Sequence, residues 1–191
     1  QYPERCERLV LVSSGGLGQE VNLLLRALTL PGAEYVLPVA CTKRVHDAGT
    51  TVVGWLRNVG LRPSPHLAEV WESYGSLADA QTRTAFLHTL RSVVDQTGQR
   101  VSAADRFYLA AHVPTLIVWG SVDRIIPVDQ AYTAHNAIAG SQLEIFDGVG
   151  HYPHCEKPER FIEVLSDFMT TTAPGVLSPA EWQRLLHAGG V

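Results

Sequence analysis

Two stretches decide the fold of this chain: VPTLIVWGSVDRIIP (residues 113–127) and SQLEIFDGVGHYPHCEKPERF (residues 141–161). Each begins with an apolar run of strand length and continues into a turn that contains glycine. The pattern between them predicts a helix that Pro127 opens and Gly140 closes. A strand, a helix and a second strand at this spacing predict two parallel strands joined by a crossover.

A third strand is predicted near the start of the chain, at residues 9–12. This apolar, partly β-branched run ends in serines and glycines, which is typical of a buried parallel strand. After the strand at residues 143–146, Pro158 opens a helix with Phe161, Val164, Leu165 and Phe168 on one face. One more short segment covers residues 178–187. The predicted strands are Leu9–Val12, Thr115–Trp119 and Leu143–Phe146.

Residues 19–112, between the first two strands, show helical patterns and no strand pattern. The segment 19–30 places its apolar side chains on one face, namely Val21, Leu24, Leu25 and Leu28. Helix starts are predicted at Ser64, and at Ser76 and Ser102 from S-x-x-D capping boxes, and Gly98 is predicted to end a helix. We therefore expect an α/β fold with a mostly parallel sheet and an inserted helical region.

Composition excludes several classes of protein. The 191 residues are 46% hydrophobic and 18% charged, which fits a globular domain. The net charge of −4 gives no electrostatic case for nucleic acid or an anionic membrane as partner. No apolar run approaches the roughly 20 residues of a membrane span. Three distant cysteines without a C-x-x-C motif favour a reducing, cytoplasmic location.

The loops after the second and third strands each contain one residue suited to proton chemistry, Asp123 and His151. Consecutive parallel strands bring their carboxyl ends to the same edge of a sheet, so we expect these two side chains to meet. A carboxylate beside an imidazole fixes its tautomer and stabilises the imidazolium. Gly148 and Gly150 permit the tight turn that directs the histidine.

Less specific interpretations also fit these residues and their neighbours. Asp123 could cap the following helix, and His151 could be an ordinary turn residue. A metal site at His151, His154 and Cys155 is not favoured, because Pro153 disfavours helical presentation and no second ligand cluster exists. The glycine-rich stretch 13–18 lacks the spacing of a phosphate-binding loop. We therefore expect no metal and no organic cofactor.

The motifs resemble those of the α/β-hydrolase superfamily. P-T-L-I-V-W-G-x-x-D-x-I-I-P resembles its acid-bearing segment, and G-V-G-H-Y-P-H-x-E-x-P-E-R-F resembles its histidine segment. Y-P-E-R-C-E-R-L-V-L-V-S-S-G-G resembles the helix end and strand that follow the nucleophile elbow. The resemblance implies that Asp123 is the acid of a catalytic triad and that His151 is the general base.

The chain departs from the superfamily pattern at the nucleophile, because no serine has glycine at both −2 and +2. The resemblance implies that the nucleophile and the oxyanion hole lie upstream, in an N-terminal segment of the same protein, and that the sheet has an unpaired edge. It also implies four regions: a core strand (1–18), a helical cap (19–112), the C-terminal part of the core (113–175) and a tail with a short helix (176–191).

The expected function is hydrolysis of a small or medium apolar ester-like substrate, or of a related C–C or amide bond, through a Ser-His-Asp triad. We expect residues 1–191 alone to be inactive. Two alternatives stay open: an inactive or split hydrolase-fold protein that acts in binding, and an epoxide hydrolase or dehalogenase if the nucleophile is aspartate. A homodimer is also left open.

Overall fold

The computed structural model describes residues 5–60, 71 and 73–188. Three strands form one parallel sheet in the order β1-β2-β3. They are β1 (Leu9–Val12), β2 (Thr115–Gly120) and β3 (Gln142–Phe146). The three predicted strands and their parallel direction are confirmed, with bounds that differ by one residue at most.

The helices are α1 (Leu23–Leu28), α2 (Ala33–Ala40), α3 (Lys43–Asn58), α4 (Ala80–Val93), a 3-10 turn (Ala104–Arg106), α5 (Phe107–Ala110), α6 (Asp129–Ala137), α7 (Pro153–Glu156), α8 (Pro158–Thr171) and α9 (Pro179–Ala188). In the ranges 5–60, 71 and 73–188, no helix has the length and apolar character needed to cross a membrane.

The centre of the sheet is β2, whose six residues are all buried. On one face, Leu116 and Val118 pack in a cluster that includes Phe146 and, from α8, Phe168. The alternate residues face the other side of the strand, and there the indole Nε1 of Trp119 donates a hydrogen bond of 3.1 Å to the carbonyl oxygen of Ile126. The end of β2, where the candidate site begins, is therefore fixed on both faces.

The chain divides into two compact units, one of Gln1–Glu20 with Val101–Val191 and the other of Val21–Arg100. The first unit contains the sheet. The second contains α1 to α4 and has its own core, formed by Ala33, Leu37, Cys41 and Leu87. Its described residues contain no strand, and the one bridge there joins Val94 and Gln99. That residues 19–112 act as a cap stays a prediction.

The predicted apolar face of a helix over residues 19–30 was wrong. Helix α1 begins at Leu23, because the side chain of Asn22 caps it by accepting a hydrogen bond from the Leu24 backbone N–H. Val21 therefore precedes the helix, where it is buried, and Leu24 is 66% exposed. The four apolar residues do not share one helical face, since only Leu24, Leu25 and Leu28 belong to the helix.

Capping in the second unit also differs from the prediction. Asp79, and not Ser76, caps α4, because its carboxylate accepts a hydrogen bond of 2.8 Å from the Thr82 backbone N–H. Helix α4 ends at Val93, whereas Gly98 lies in a turn beyond it. The predicted start at Ser64 lies outside the described residues.

The first unit shows smaller differences at its helix starts. Ser102 accepts a hydrogen bond of 3.1 Å from the Ala104 backbone N–H and so lies at the start of a 3-10 turn instead of an α-helix. Helix α6 begins two residues after Pro127. Helix α7 begins at Pro153, and proline is tolerated in this first turn because its missing N–H has no partner to lose. His151 precedes the helix, so His151 and His154 are not presented at i, i+3 on one helix, as predicted.

Candidate active site

Asp123 and His151 lie side by side at the carboxyl edge of the sheet. The imidazole Nδ1 of His151 is 2.8 Å from the carboxylate Oδ2 of Asp123. The Asp123 side chain is fully buried, whereas the His151 side chain is 18% exposed. An ionised carboxylate has no proton to donate, so Nδ1 donates and Nε2 is the ring nitrogen left to exchange a proton with another group.

The second carboxylate oxygen of Asp123 holds its own loop. Oδ1 accepts hydrogen bonds from the backbone N–H groups of Ile125, at 2.8 Å, and Ile126, at 3.0 Å. These residues precede α6, so the aspartate orders the turn and does not cap the helix. One oxygen therefore fixes the carboxylate in its own loop, and the other contacts His151. The interpretation of Asp123 as the cap of the following helix was wrong.

The loop after β3 packs directly on the end of β2. The backbone N–H of Ser121 donates to the Phe146 carbonyl, and that of Val122 donates to the Val149 carbonyl, each at 3.0 Å. Gly120 has no side chain at the point of closest approach, where a β-carbon would lie 2.0 Å from the carbonyl oxygen of Gly150. The loop after β2, which carries Asp123 (the acid loop), and the loop after β3, which carries His151 (the histidine loop), are therefore joined through backbone atoms.

A side-chain contact strengthens the same junction. The hydroxyl of Ser121 donates to the carboxylate of Asp147 at 3.2 Å and accepts from the backbone N–H of Gly148 at 2.9 Å. Gly148 has φ = 68°, a left-handed conformation that glycine adopts without strain. The predicted role of Gly148 in the turn is thus confirmed, whereas Gly150 has no positive φ and its role in the turn stays a prediction.

Glu156 was missed as a contributor to this site. Its carboxylate oxygens each lie 3.1 Å from the backbone nitrogen of Gly150, and Oε1 lies 3.4 Å from that of Tyr152. The two N–H groups flank His151. The signal in the sequence was a glutamate a few residues after the predicted turn, in the position from which a side chain can reach back over the start of a helix.

The other polar residues of the histidine loop point to no metal site. His154 and Cys155 are exposed, and the His154 ring makes edge contacts with the rings of Tyr152 and Phe161. Among the described residues, no group of three or more histidine, cysteine, aspartate or glutamate side chains is arranged to hold a metal ion.

The end of β1 contributes an unusual serine to the same edge of the sheet. Ser13 has φ = 43°, and it is the one non-glycine residue with positive φ in the described part of the chain. Its backbone N–H donates to the Val118 carbonyl, and its side chain is buried. Within the described ranges, the Ser13 hydroxyl has no hydrogen-bond partner.

Comparison with known proteins identifies the fold. No protein-family model matches the chain. The chain is 40% identical over 196 residues to an uncharacterized protein of Mycobacterium tuberculosis strain H37Rv, with 100% of this chain and 56% of that protein covered. It is 27% identical over 172 residues to the 2-hydroxy-6-oxo-6-(2'-aminophenyl)hexa-2,4-dienoic acid hydrolase of Metapseudomonas resinovorans, covering 90% of this chain and 54% of the relative.

Solved structures agree with the sequence relatives. The 2-hydroxy-6-oxo-6-phenylhexa-2,4-dienoate hydrolase of Rhodococcus sp. strain RHA1 superposes with a TM-score of 0.59 at 18% identity, over 88% of this chain and 57% of that one. The chain has part of the α/β-hydrolase fold. Its relatives and structural neighbours are meta-cleavage product hydrolases and esterases of that superfamily. The chain spans about half the length of the curated relatives it matches.

Proposed function

We propose that this chain is the part of an α/β-hydrolase that supplies the acid and the general base of its catalytic triad, Asp123 and His151. The observation that carries the proposal is the 2.8 Å contact between His151 Nδ1 and a fully buried carboxylate. A relative that is named as a hydrolase and matches 90% of this chain supports the same class of reaction.

The reaction follows from the two nitrogens of the imidazole. A serine hydroxyl attacks the carbonyl carbon of the substrate while Nε2 of His151 takes the hydroxyl proton. Asp123 stabilises the positive charge that then develops on the ring, and Nε2 returns the proton to the leaving group as the bond to the carbonyl carbon breaks. Water, activated by the same nitrogen, hydrolyses the acyl-enzyme and releases the acid product.

The proposed substrate is a small or medium apolar molecule with a reactive carbonyl, either ester-like or cleaved at a C–C or amide bond. The name of one relative supports the reactive carbonyl, since it specifies an oxo-substituted dienoic acid, and an oxo group is the electrophile that such a triad attacks. We further propose that the helical unit Val21–Arg100 is the cap of the whole enzyme.

The proposed source of the serine is a segment of the same protein outside residues 1–191. In the described residues β1 pairs with β2 alone, and its four residues are only half-buried. An apolar hollow of about 400 Å³ lies against Leu9 and Leu11 of this strand, and its lining includes neither Asp123 nor His151. A free strand edge with an apolar hollow beside it favours a further strand and its covering side chains as occupant.

The proposal is tested by labelling the whole protein with a fluorophosphonate and mapping the modified peptide. We expect one labelled serine outside residues 1–191, with labelling lost in His151→Ala and kept in the matched control His154→Ala, which changes an exposed histidine three residues away. A labelled serine within residues 1–191 would show that the nucleophile is misplaced. A covalent substrate ester on aspartate, without serine labelling, would establish the epoxide hydrolase or dehalogenase alternative.

A further inference from the structure

We propose that Glu156 is a positioning residue, which holds the backbone around His151 so that the imidazole meets Asp123. Its catalytic consequence rests on the proposed function, whereas the positioning itself concerns only the contacts of this chain. Its carboxylate accepts hydrogen bonds from the backbone N–H groups of Gly150 and Tyr152, the residues on either side of His151.

Three consecutive peptide groups determine where the His151 side chain points. The first ends at the nitrogen of Gly150, and the third ends at the nitrogen of Tyr152, and both of these N–H groups donate to the Glu156 carboxylate. The middle group carries the carbonyl oxygen of Gly150, which packs against Gly120 so closely that a β-carbon there would overlap it. All three groups are therefore held, two by one carboxylate and one by packing.

This arrangement matters because the residues next to His151 restrain its backbone little by themselves. Gly150 lacks a side chain and has wide backbone freedom, and Pro153 has no N–H to donate. The Glu156 side chain is long enough to accept from the N–H groups of both Gly150 and Tyr152, so it supplies the restraint that the sequence of the loop lacks. With the backbone of His151 fixed, its Cα–Cβ bond is aimed at Asp123 before any substrate binds.

Two conservative substitutions separate reach from charge. Glu156→Asp keeps the charge and shortens the side chain by one methylene, so its carboxylate cannot span to both N–H groups. Glu156→Gln keeps the length and an acceptor oxygen but removes the charge. If Glu156 acts by position, the glutamine variant retains the hydrogen bond between His151 and Asp123, and the aspartate variant loses it. Glu159→Asp, an exposed glutamate in the first turn of α8, is the matched control.

The first readout is the proton on His151 Nδ1, observed by NMR in the whole protein labelled with 15N-histidine and assigned by its absence in His151→Ala. A hydrogen bond to a buried carboxylate places this proton far downfield. We expect the resonance to persist in Glu156→Gln and Glu159→Asp and to vanish in Glu156→Asp, with unchanged circular dichroism. Persistence in Glu156→Asp overturns the proposal, as does loss in Glu156→Gln with retention in Glu156→Asp.

The second readout is the rate of fluorophosphonate labelling. Misplacing a catalytic group by about 1 Å costs about 10²-fold in rate, so we expect a fall of that order in Glu156→Asp and a change below about threefold in Glu156→Gln. The two readouts separate the two proposals. If the wild-type protein shows the resonance but never labels, the proposed serine hydrolase function fails while the positioning role is still decided by the resonance.

Discussion

Gly120 and Gly150 approach each other so closely that a β-carbon on Gly120 would lie 2.0 Å from the carbonyl oxygen of Gly150. The contact joins the last residue of β2 to the residue that precedes His151. Both partners of this contact are backbone atoms, which cannot move aside as a flexible side chain can. The distance between the acid loop and the histidine loop is thus set by the absence of a methyl group.

Gly120→Ala is therefore expected to push the histidine loop away from β2. Overpacking of this kind costs about 1–3 kcal/mol, and we expect a loss of that size in the free energy of unfolding measured by urea denaturation. The Nδ1 proton resonance of His151 should weaken or vanish in the same variant. An alanine variant with wild-type stability and an intact resonance would show that the loop can avoid the new methyl group without moving His151 away from Asp123.

The matched control is Gly54→Ala, in the interior of α3. A β-carbon on Gly54 meets no atom of the described residues within 4 Å, and this glycine has no positive φ. Alanine is favoured over glycine inside a helix by about 0.5–1 kcal/mol, so this variant should be more stable than wild type. The same substitution thus has opposite expected signs at the two positions.

Asp123→Asn should retain the fold and lose activity. The amide oxygen replaces Oδ1 toward Ile125 and Ile126, which turns the amide NH2 toward His151. Nδ1 must then accept, its proton moves to Nε2, and the ring can no longer take a proton from a nucleophile. We expect the labelling rate to fall about 10⁴-fold. Asp129→Asn, in the first turn of α6, is the control, and a loss below tenfold in Asp123→Asn would contradict the acid role.

Arg8 connects the start of β1 to the end of α8. Its Nε donates to the Thr172 hydroxyl at 3.0 Å, and its Nη2 donates to the carbonyl oxygens of Met169, at 3.3 Å, and Thr172, at 2.5 Å. Lysine lacks the planar fork that makes these bonds together. Arg8→Lys should lower the free energy of unfolding by about 1–2 kcal/mol. Arg184→Lys, on an exposed face of α9, should change it by less than about 0.5 kcal/mol.

Acid should weaken α4 through its cap. Hydrogen bonds from the Thr82 backbone N–H and hydroxyl lower the pKa of Asp79 from its ordinary value of 3.8. Because the folded-state pKa is the lower one, the cap stabilises the fold above the unfolded-state pKa, and this stability is lost as the pH falls through the folded-state pKa.

The test compares wild type with Asp79→Asn by circular dichroism at neutral and acidic pH. Asparagine caps helices without titrating, so the melting temperature of the variant should fall less on acidification below about pH 4. An equal fall in melting temperature on acidification of the two proteins would show that other carboxylates account for the acid dependence.

The sheet and the contact between Asp123 and His151 could be predicted because their signals are local. Each strand is an apolar run of the right length that leads into a turn containing glycine, and parallel strands bring the loops that follow them to one edge. The position of Asp123 relative to β2 and of His151 relative to β3 was therefore enough to expect their contact. The structure of the segment between the two loops, which contains α6, did not have to be predicted in detail to expect this contact.

Other features depend on contacts that no local pattern records. Gly120 reads as an ordinary strand end, and its necessity becomes visible only when the loop near Gly150 packs on it. Ser76 and Asp79 are both good cap residues, and the point where the preceding chain turns decides between them. Leu24 fits an apolar helical face in sequence, but the helix begins only after Asn22 and leaves it exposed.

Asp123 and His151 belong to one strand–helix–strand segment, and they are 28 residues apart along the chain. By contrast, β1 reaches β2 only after the chain has passed through all of Val21–Arg100. The entropy lost on closing a loop rises with its length, and short-range contacts form faster. We therefore expect Asp123 and His151 to come together early in folding, before β1 docks and before any nucleophile is in place.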